Sequence, residues 1–181
     1  ISDRMAALPH DRLDGGPAEN WELGTRDTGA YATLSDVVDY MEWLGSKVCN
    51  SADQRARFES AGDAIRDHEQ TLTNAMIYGT GNLPGLAEMK NVHIIGGLDN
   101  PAREGLVSLY VDGIKSNEIV AHLNREGVRT HLRKADHYSG NILKPLGIEN
   151  CVRVSMCHYN SLAEVAQFLG IMKTITAEAQ L

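Results

Sequence analysis

The sequence has few cysteines and no long apolar run. Three of its 181 residues are cysteines, namely Cys49, Cys151 and Cys157. Because this number is odd and the positions are widely spaced, we expect a reducing compartment, the cytoplasm, rather than a disulfide scaffold. The longest apolar stretches, 92–95 and 106–111, are far shorter than the roughly 20 residues that a membrane helix requires. We therefore expect no membrane segment.

The sequence also lacks basic clusters and metal-ligand spacing. It carries 17 Lys and Arg against 24 Asp and Glu, a net charge of −7. Because nonspecific nucleic-acid affinity comes from clustered cations, we expect no nucleic-acid partner. Neither a Cys-x-x-Cys nor a His-x-x-x-His pair occurs, so the spacing predicts no metal site. The first ten residues have no apolar segment typical of a signal peptide.

What is present is a series of helix and strand patterns after thirty turn-rich residues. Apolar periodicity, capping boxes at 51–54 and 161–164, and stopping glycines place these elements. The order predicts an α+β fold, in which helices cover one face of a small, mainly antiparallel sheet, preceded by a loop and two helices. The predicted helices are 31–44, 51–78, 116–126 and 161–175, the strands 92–96, 106–111, 128–131 and 151–157, and a helical turn 143–147.

Glycine-rich residues 79–85 invite comparison with a phosphate loop. They follow a helix rather than a strand, and they lack the Lys-Ser/Thr that ends a P-loop. We interpret them as a turn that ends the long helix.

Arg153 is the most informative single residue. In 151–157 the side chains Val152, Val154 and Met156 alternate with polar ones, which predicts a half-buried strand with Arg153 on the face opposite the apolar row. A guanidinium held there offers a planar fork of donors suited to a carboxylate. The alternative is an ordinary surface arginine or a salt bridge.

Two loops are further candidates for binding or catalysis. Gly24 and Thr25 precede a predicted helix, where backbone N–H groups favour an anion, although the loop could simply cap that helix. The loop 135–139 carries His137 and Tyr138. The reference pKa of histidine, about 6.5, permits proton transfer, but an exposed loop histidine is more often only solvated.

Together these segments resemble the C-terminal part of class V aminotransferase-like enzymes. That group includes cysteine desulfurases, selenocysteine lyases and isopenicillin-N-epimerase-like proteins. The resemblance covers nearly the whole chain, and its most specific part is the last, where a strand bearing arginine leads into Tyr-Asn-Ser. It rests on Trp21–Thr25, Gly127–Thr130, Asp136–Gly140 and Val152–Ser161.

The resemblance implies a pyridoxal-phosphate (PLP) enzyme of fold type I. Arg153 matches the arginine that grips the substrate α-carboxylate, and Asn160, in the family's Tyr-Asn motif, would support substrate binding. Gly24 and Thr25 match a loop that reaches across a homodimer to the cofactor phosphate. In this interpretation 1–50 ends the large cofactor domain, 51–90 is a connecting helix and turn, and 91–181 is the small C-terminal α+β domain.

Two departures from the family pattern qualify this interpretation. Tyr138 stands where group II cysteine desulfurases present the cysteine that accepts sulfur. No lysine in this chain lies in a segment that resembles the family's Schiff-base lysine loop. We therefore expect a missing N-terminal large domain that holds PLP, and a chain that is inactive by itself.

The sequence as a whole predicts part of a PLP-dependent enzyme that acts on an amino acid at Cα or Cβ. Desulfurase-like C–S lyase chemistry without the persulfide cysteine is the preferred reaction, with His137 and Tyr138 as candidate acid–base or substrate-contacting groups. The alternatives are a decarboxylative aldol-type reaction that forms a C–C bond, or an epimerase. A noncatalytic α+β module that binds a partner or a small acidic ligand is the remaining alternative.

Overall fold

The structure, a computed structural model, describes residues 28–178. They fall into two compact units, with the boundary after Ala61. The domain limits proposed from the sequence stay a prediction. In chain order the elements are α1 (Thr28–Val48), α2 (Gln54–Tyr78), β1 (Gly79–Thr80), β2 (Leu83–Pro84), a 3-10 turn (Leu86–Glu88), β3 (Val92–Ile95), β4 (Leu106–Val111), α3 (Ser116–Arg125), β5 (His131–Lys134), α4 (Gly140–Leu143), β6 (Asn150–Ser155) and α5 (Leu162–Glu178).

In the first unit a glycine lets α1 approach the start of α2. A Cβ atom built on Gly45 would overlap the backbone of Arg57. The Arg57 side chain donates through Nε to the Ser51 carbonyl at 2.7 Å and lies 3.3 Å from Glu42. Asp53, rather than the predicted Ser51, caps α2, because its carboxylate accepts the Ala56 N–H at 2.8 Å.

The second unit is built on a four-stranded antiparallel sheet with the order β3-β4-β6-β5. The strands β3 and β4 pair antiparallel, with Val92 opposite Val111. The strand β6, which is the last strand in the sequence, lies between β4 and β5 and pairs with both. Because β6 is internal, side chains from three strands surround its residues on each face.

Helices cover one face of this sheet, and the core lies between them. Val152 and Val154 of β6 are buried, as the predicted alternation requires. Their neighbours in the core come from β4, α2, α3 and α5. This arrangement confirms the predicted α+β fold. The largest fully buried core side chains are Leu72, Met76, Ile77, Leu86, Leu109, Ile119, Leu123, Phe168, Leu169 and Met172.

The strand predicted at 128–131 was placed too early. It begins at His131, because α3 ends in a Schellman motif that uses the backbone donors before it. Gly127 adopts φ 79° and its N–H donates to Asn124, while the N–H of Val128 donates to Leu123 at 2.8 Å. The side chain of Asn124 accepts the N–H of Thr130. These groups are therefore not free to pair with β6.

Other boundaries also differ from the prediction. The helix predicted at 31–44 extends from Thr28 to Val48, and Gly45 lies within it, because its carbonyl still accepts the Cys49 N–H at 2.8 Å. The helical turn is 140–143 rather than 143–147, because Ser139 and Gly140 carbonyls accept the helical hydrogen bonds. The strand β6 ends at Ser155, since the side chain of Asn160 accepts the Cys157 N–H at 2.8 Å. The glycine-rich turn at 79–85 contains the tight hairpin of β1 and β2. Among the described residues, no helix is long and apolar enough to cross a membrane.

We predict that Gly45→Ala destabilises the protein by about 1–3 kcal/mol, because the added methyl group meets the backbone of Arg57. Gly62→Ala is the matched control, since Gly62 lies in α2 with no atom within 4 Å of the added Cβ. It should stabilise by about 0.5–1 kcal/mol, as expected for alanine in a helix. Denaturant unfolding followed by circular dichroism measures both changes. Equal effects of the two substitutions would refute the close approach.

The capping box at the start of α5 predicts a pH dependence of stability. The Glu164 carboxylate accepts the Ser161 N–H at 2.7 Å, and this hydrogen bond, with those from the Ser161 hydroxyl and Asn160, lowers the pKa of Glu164. Its contribution to stability is therefore full above the ordinary glutamate pKa of about 4.3 and is lost as the pH falls through the lowered value. We expect Glu164→Gln to flatten the fall of unfolding free energy below that pH.

The matched control for this measurement is Glu118→Gln, which removes a carboxylate from the first turn of α3. Any change of slope that both variants share is a general charge effect and is subtracted. An unchanged slope in Glu164→Gln after that subtraction would show that the capping carboxylate carries no such linkage.

Candidate functional site

The sheet face opposite the core carries polar and charged side chains. The strand register places Arg153 of β6 between Ser108 of β4 and His131 of β5. Two residues earlier on β6, Cys151 lies opposite Arg133 of β5. Because cross-strand partners share a face, these five side chains lie on the same side of the sheet. We call this side the open face.

A pocket of about 460 Å³ lies on the open face. Strand residues form its floor, and the loop that follows β5, together with α4, forms its wall. Both guanidinium groups of the open face, those of Arg133 and Arg153, line it, and no carboxylate side chain among the described residues does. The complete lining is Ile95, Ser108, Arg133, Tyr138, Ser139, Ile142, Leu143, Cys151 and Arg153.

The side chain of Arg153 lines the pocket. Its Nε is buried and makes no hydrogen bond. Among residues 28–178 no carboxylate lies within ion-pair distance of its guanidinium. A buried donor without an acceptor costs free energy, so the geometry favours an anionic ligand that accepts from this group. The predicted position of Arg153, on the face opposite the apolar row, is confirmed; its role is still a prediction.

The loop after β5 is shaped by Asp136 and presents Tyr138 to the pocket. The Asp136 carboxylate accepts the N–H groups of Ser139 and Tyr138 at 3.1 and 2.9 Å, and these hydrogen bonds lower its pKa. The Tyr138 side chain is 78% exposed and lines the pocket. The ring of His137 lies 4.0 Å from that of Tyr138 and outside the lining. The structure thus brings Tyr138 to Arg153, with His137 beside it.

Asn160 does not line this pocket. The side-chain amide of Asn160 donates to Glu164 and its oxygen accepts the Cys157 N–H, so it links the end of β6 to the start of α5. This placement favours the supporting role that the Tyr-Asn resemblance allowed over direct contact with substrate. Gly24 and Thr25 lie outside the described residues.

Three lining residues were missed by the sequence analysis: Arg133, Ser108 and Cys151. The signal for Arg133 and Cys151 was present, because both alternate with apolar residues on a strand. Arg133 was missed because β5 was placed three residues too early. Ser108 lies in an apolar stretch and becomes recognisable only when β4 is paired with β6.

Comparison with known proteins decides the family. The aminotransferase class-V family model matches residues 16–168, most of the chain. The chain belongs to the aminotransferase class-V family. This confirms the resemblance inferred from Trp21–Thr25 through Val152–Ser161.

The similar proteins found are cysteine desulfurases. A probable cysteine desulfurase of Mycobacterium leprae is 27% identical over 88% of this chain and 22% of its own. The structure of a cysteine desulfurase from Thermococcus onnurineus NA1 matches with a TM-score of 0.67 and 26% identity, over 91% of this chain and 35% of that chain. One from Escherichia coli, at 16% identity, shares the fold with a TM-score of 0.57 over 32% of its length. The chain therefore spans about a fifth to a third of these relatives.

The pocket suits the substrate side of a PLP site rather than its covalent attachment. Arg153, whose buried Nε has no hydrogen-bond partner, fits the carboxylate of an amino acid. Among the described residues, no lysine lines the pocket. Within residues 28–178 no group of three His, Cys, Asp or Glu side chains is placed to hold a metal ion.

We predict that the three cysteines differ in thiol reactivity. Burial raises the pKa of Cys151, whereas the Ser51 N–H that donates to Cys49 lowers the pKa of that thiol. Because the thiolate is the reactive form, iodoacetamide at neutral pH should label Cys49 fastest and Cys151 slowest. Peptide mass spectrometry over a time course measures the rates, and the unfolded chain, with nearly equal rates, is the control. Rapid labelling of Cys151 would contradict its burial.

Proposed function

We propose that this chain is the C-terminal part of a PLP-dependent enzyme that acts on an amino acid at Cα or Cβ. The observation that carries the proposal is Arg153, whose buried Nε has no partner and whose guanidinium lines a pocket on the open face. Membership of the aminotransferase class-V family supports the choice of cofactor. In this proposal an N-terminal large domain, in a homodimer, holds most of the cofactor.

Arg153 would bind and orient the substrate. Its guanidinium can donate two parallel hydrogen bonds to a carboxylate, which fixes the plane of that group as well as its position. The neighbouring strands keep its backbone in place, because β6 is internal to the sheet. When bound, PLP supplies the electron sink for a bond broken at Cα or Cβ. By holding the carboxylate, Arg153 would determine which bond of the substrate is oriented for cleavage at the cofactor.

Tyr138 and His137 would act at the mouth of the pocket. The phenol of Tyr138 is placed to donate a hydrogen bond to a substrate, and His137 is close enough to orient it or to exchange a proton with bound substrate through water. Gly24 and Thr25 are proposed to contact the cofactor phosphate of the other subunit, and Asn160 to support the end of β6.

For the reaction, we propose desulfurase-like cleavage of a C–S bond without a persulfide cysteine. The similarity to cysteine desulfurases supports C–S chemistry. Tyr138 carries no sulfur, and the thiol that does line the pocket, Cys151, is buried with a raised pKa, which makes it a poor nucleophile. Without a sulfur-accepting cysteine, the sulfur would leave as an anion that keeps the bonding electron pair, in a β-elimination, and the remaining aminoacrylate would be hydrolysed to a 2-oxo acid and ammonia.

Two other functions have a specific observation in their favour. A tyrosine in place of the sulfur-accepting cysteine also suits an epimerase or a decarboxylative enzyme that forms a C–C bond. The lack of a lysine around the pocket, among the described residues, favours a noncatalytic module that binds a small acid. Assay of the complete protein with PLP for sulfide release, racemisation or carbon dioxide release separates these functions.

We predict that Arg153→Gln raises the KM for the amino acid in the complete, PLP-loaded enzyme roughly 10- to 100-fold. This corresponds to the loss of hydrogen bonds to a charged group, about 1.5–3 kcal/mol. The absorbance of bound PLP should stay nearly unchanged, since Arg153 would contact the substrate rather than the cofactor. Arg153→Lys keeps the charge but loses the planar fork of donors, so its KM should lie between that of the unmodified enzyme and that of Arg153→Gln.

The matched control is Arg125→Gln, which removes the same charge from the last turn of α3 in the helical layer. It should leave KM unchanged. An unchanged KM in Arg153→Gln, with the control also unchanged, would remove Arg153 from the site and the proposal with it.

A further inference from the structure

The pocket on the open face contains more positive charge than one carboxylate neutralises. Arg133 and Arg153 both line it. Neither makes an ion pair with a described acid, although four other ion pairs occur in that part of the chain. Two guanidinium groups facing one pocket repel each other unless an anion lies between them. A ligand with a single carboxylate would neutralise the charge of only one of the two guanidinium groups.

The strand register places the two arginines at a distance that one small molecule can bridge. His131 is the direct partner of Arg153, and Arg133 lies two residues further along β5 on the same face. The arginines are thus diagonal neighbours, a spacing of roughly 7–8 Å at the backbone, which the two long side chains can shorten from both sides. They can hold two acid groups of one ligand at once.

Asp136, an acid of the pocket wall that is not among the lining residues, does not take this role. The influence of Arg133 on Asp136 is the weakest of the causes that lower the pKa of that carboxyl. One oxygen of Asp136 already accepts two backbone N–H groups of its own loop, from Tyr138 and Ser139. Asp136 therefore shapes the wall of the pocket, and the guanidinium of Arg133 is left to a ligand.

We propose that the substrate of this site is an amino acid with an acidic side chain, whose α-carboxylate is bound by Arg153 and whose side-chain oxyanion is bound by Arg133. The proposal rests on the amino-acid binding and PLP dependence proposed above and adds the substrate class; cleavage of a C–S bond in such a substrate requires that the side-chain oxyanion be carried by the sulfur. Ser108 and Ser139 line the same pocket and offer further hydrogen bonds to the two acid groups.

The test is calorimetric titration of the full chain with a matched set of acids. Propionate has one carboxylate, 3-mercaptopropionate adds a thiol, succinate adds a second carboxylate, and phosphate is a compact dianion. Succinate should bind about tenfold more tightly than propionate, a change of the size expected for one added charge-assisted hydrogen-bonded pair. This preference should shrink as salt is added.

The variants assign the two acid groups to the two arginines. Arg133→Gln should abolish the preference, so that succinate and propionate bind with equal affinity. Arg133→Lys keeps the positive charge and should retain part of the preference for succinate. Circular dichroism of each variant shows whether a loss of binding is caused by unfolding. Arg125→Gln, the charge-matched control on α3, should behave as the unmodified chain does.

The outcomes separate this inference from the proposed function. If propionate and succinate bind with equal affinity, and Arg153→Gln abolishes the binding of both, the inference of an acidic side chain is refuted. The proposal that Arg153 binds a carboxylate is then retained. A tighter complex with 3-mercaptopropionate or phosphate than with succinate would also overturn the acidic side chain, in favour of a thiolate or a single compact anion. Binding of propionate that survives Arg153→Gln, or no binding of either acid, would overturn the proposed function as well.

Discussion

The alternation of side chains along β6 is the constraint on which the rest of the site depends. Val152 and Val154 are buried against the helices, and this burial commits Arg153 to the opposite face. A slip of one residue in this strand would exchange the two sets and bury the guanidinium in the apolar core, at a large cost. The apolar core therefore specifies where the cation of the open face lies.

The end of α3 has a comparable influence on the second cation. The Schellman motif at Gly127 uses the N–H of Val128, so pairing with β6 starts only at His131. That start places Arg133 on the same face as Arg153. A pocket with two guanidinium groups is thus a joint result of strand alternation and of the way one helix ends. Neither feature would produce it alone.

Much of this could be predicted from the sequence. Periodicity located α2, β3, β4, α3 and α5, and the alternation in 151–157 identified the face of Arg153. The rest depended on hydrogen bonds between distant groups, such as the Asn124 side chain that delays β5 and the Asn160 side chain that ends β6. Ser108 joined the site only through strand pairing, which no local pattern encodes.

The central claim is that Arg153 is an unpartnered donor that binds a carboxylate on the open face. It is tested most directly by following the side-chain Nε–H resonance of Arg153 by NMR while propionate is added to the full chain. The account predicts a saturable downfield shift of this resonance, with the Nε–H of Arg125 unmoved. A resonance of Arg153 that does not respond, or that moves no more than that of Arg125, would contradict the account.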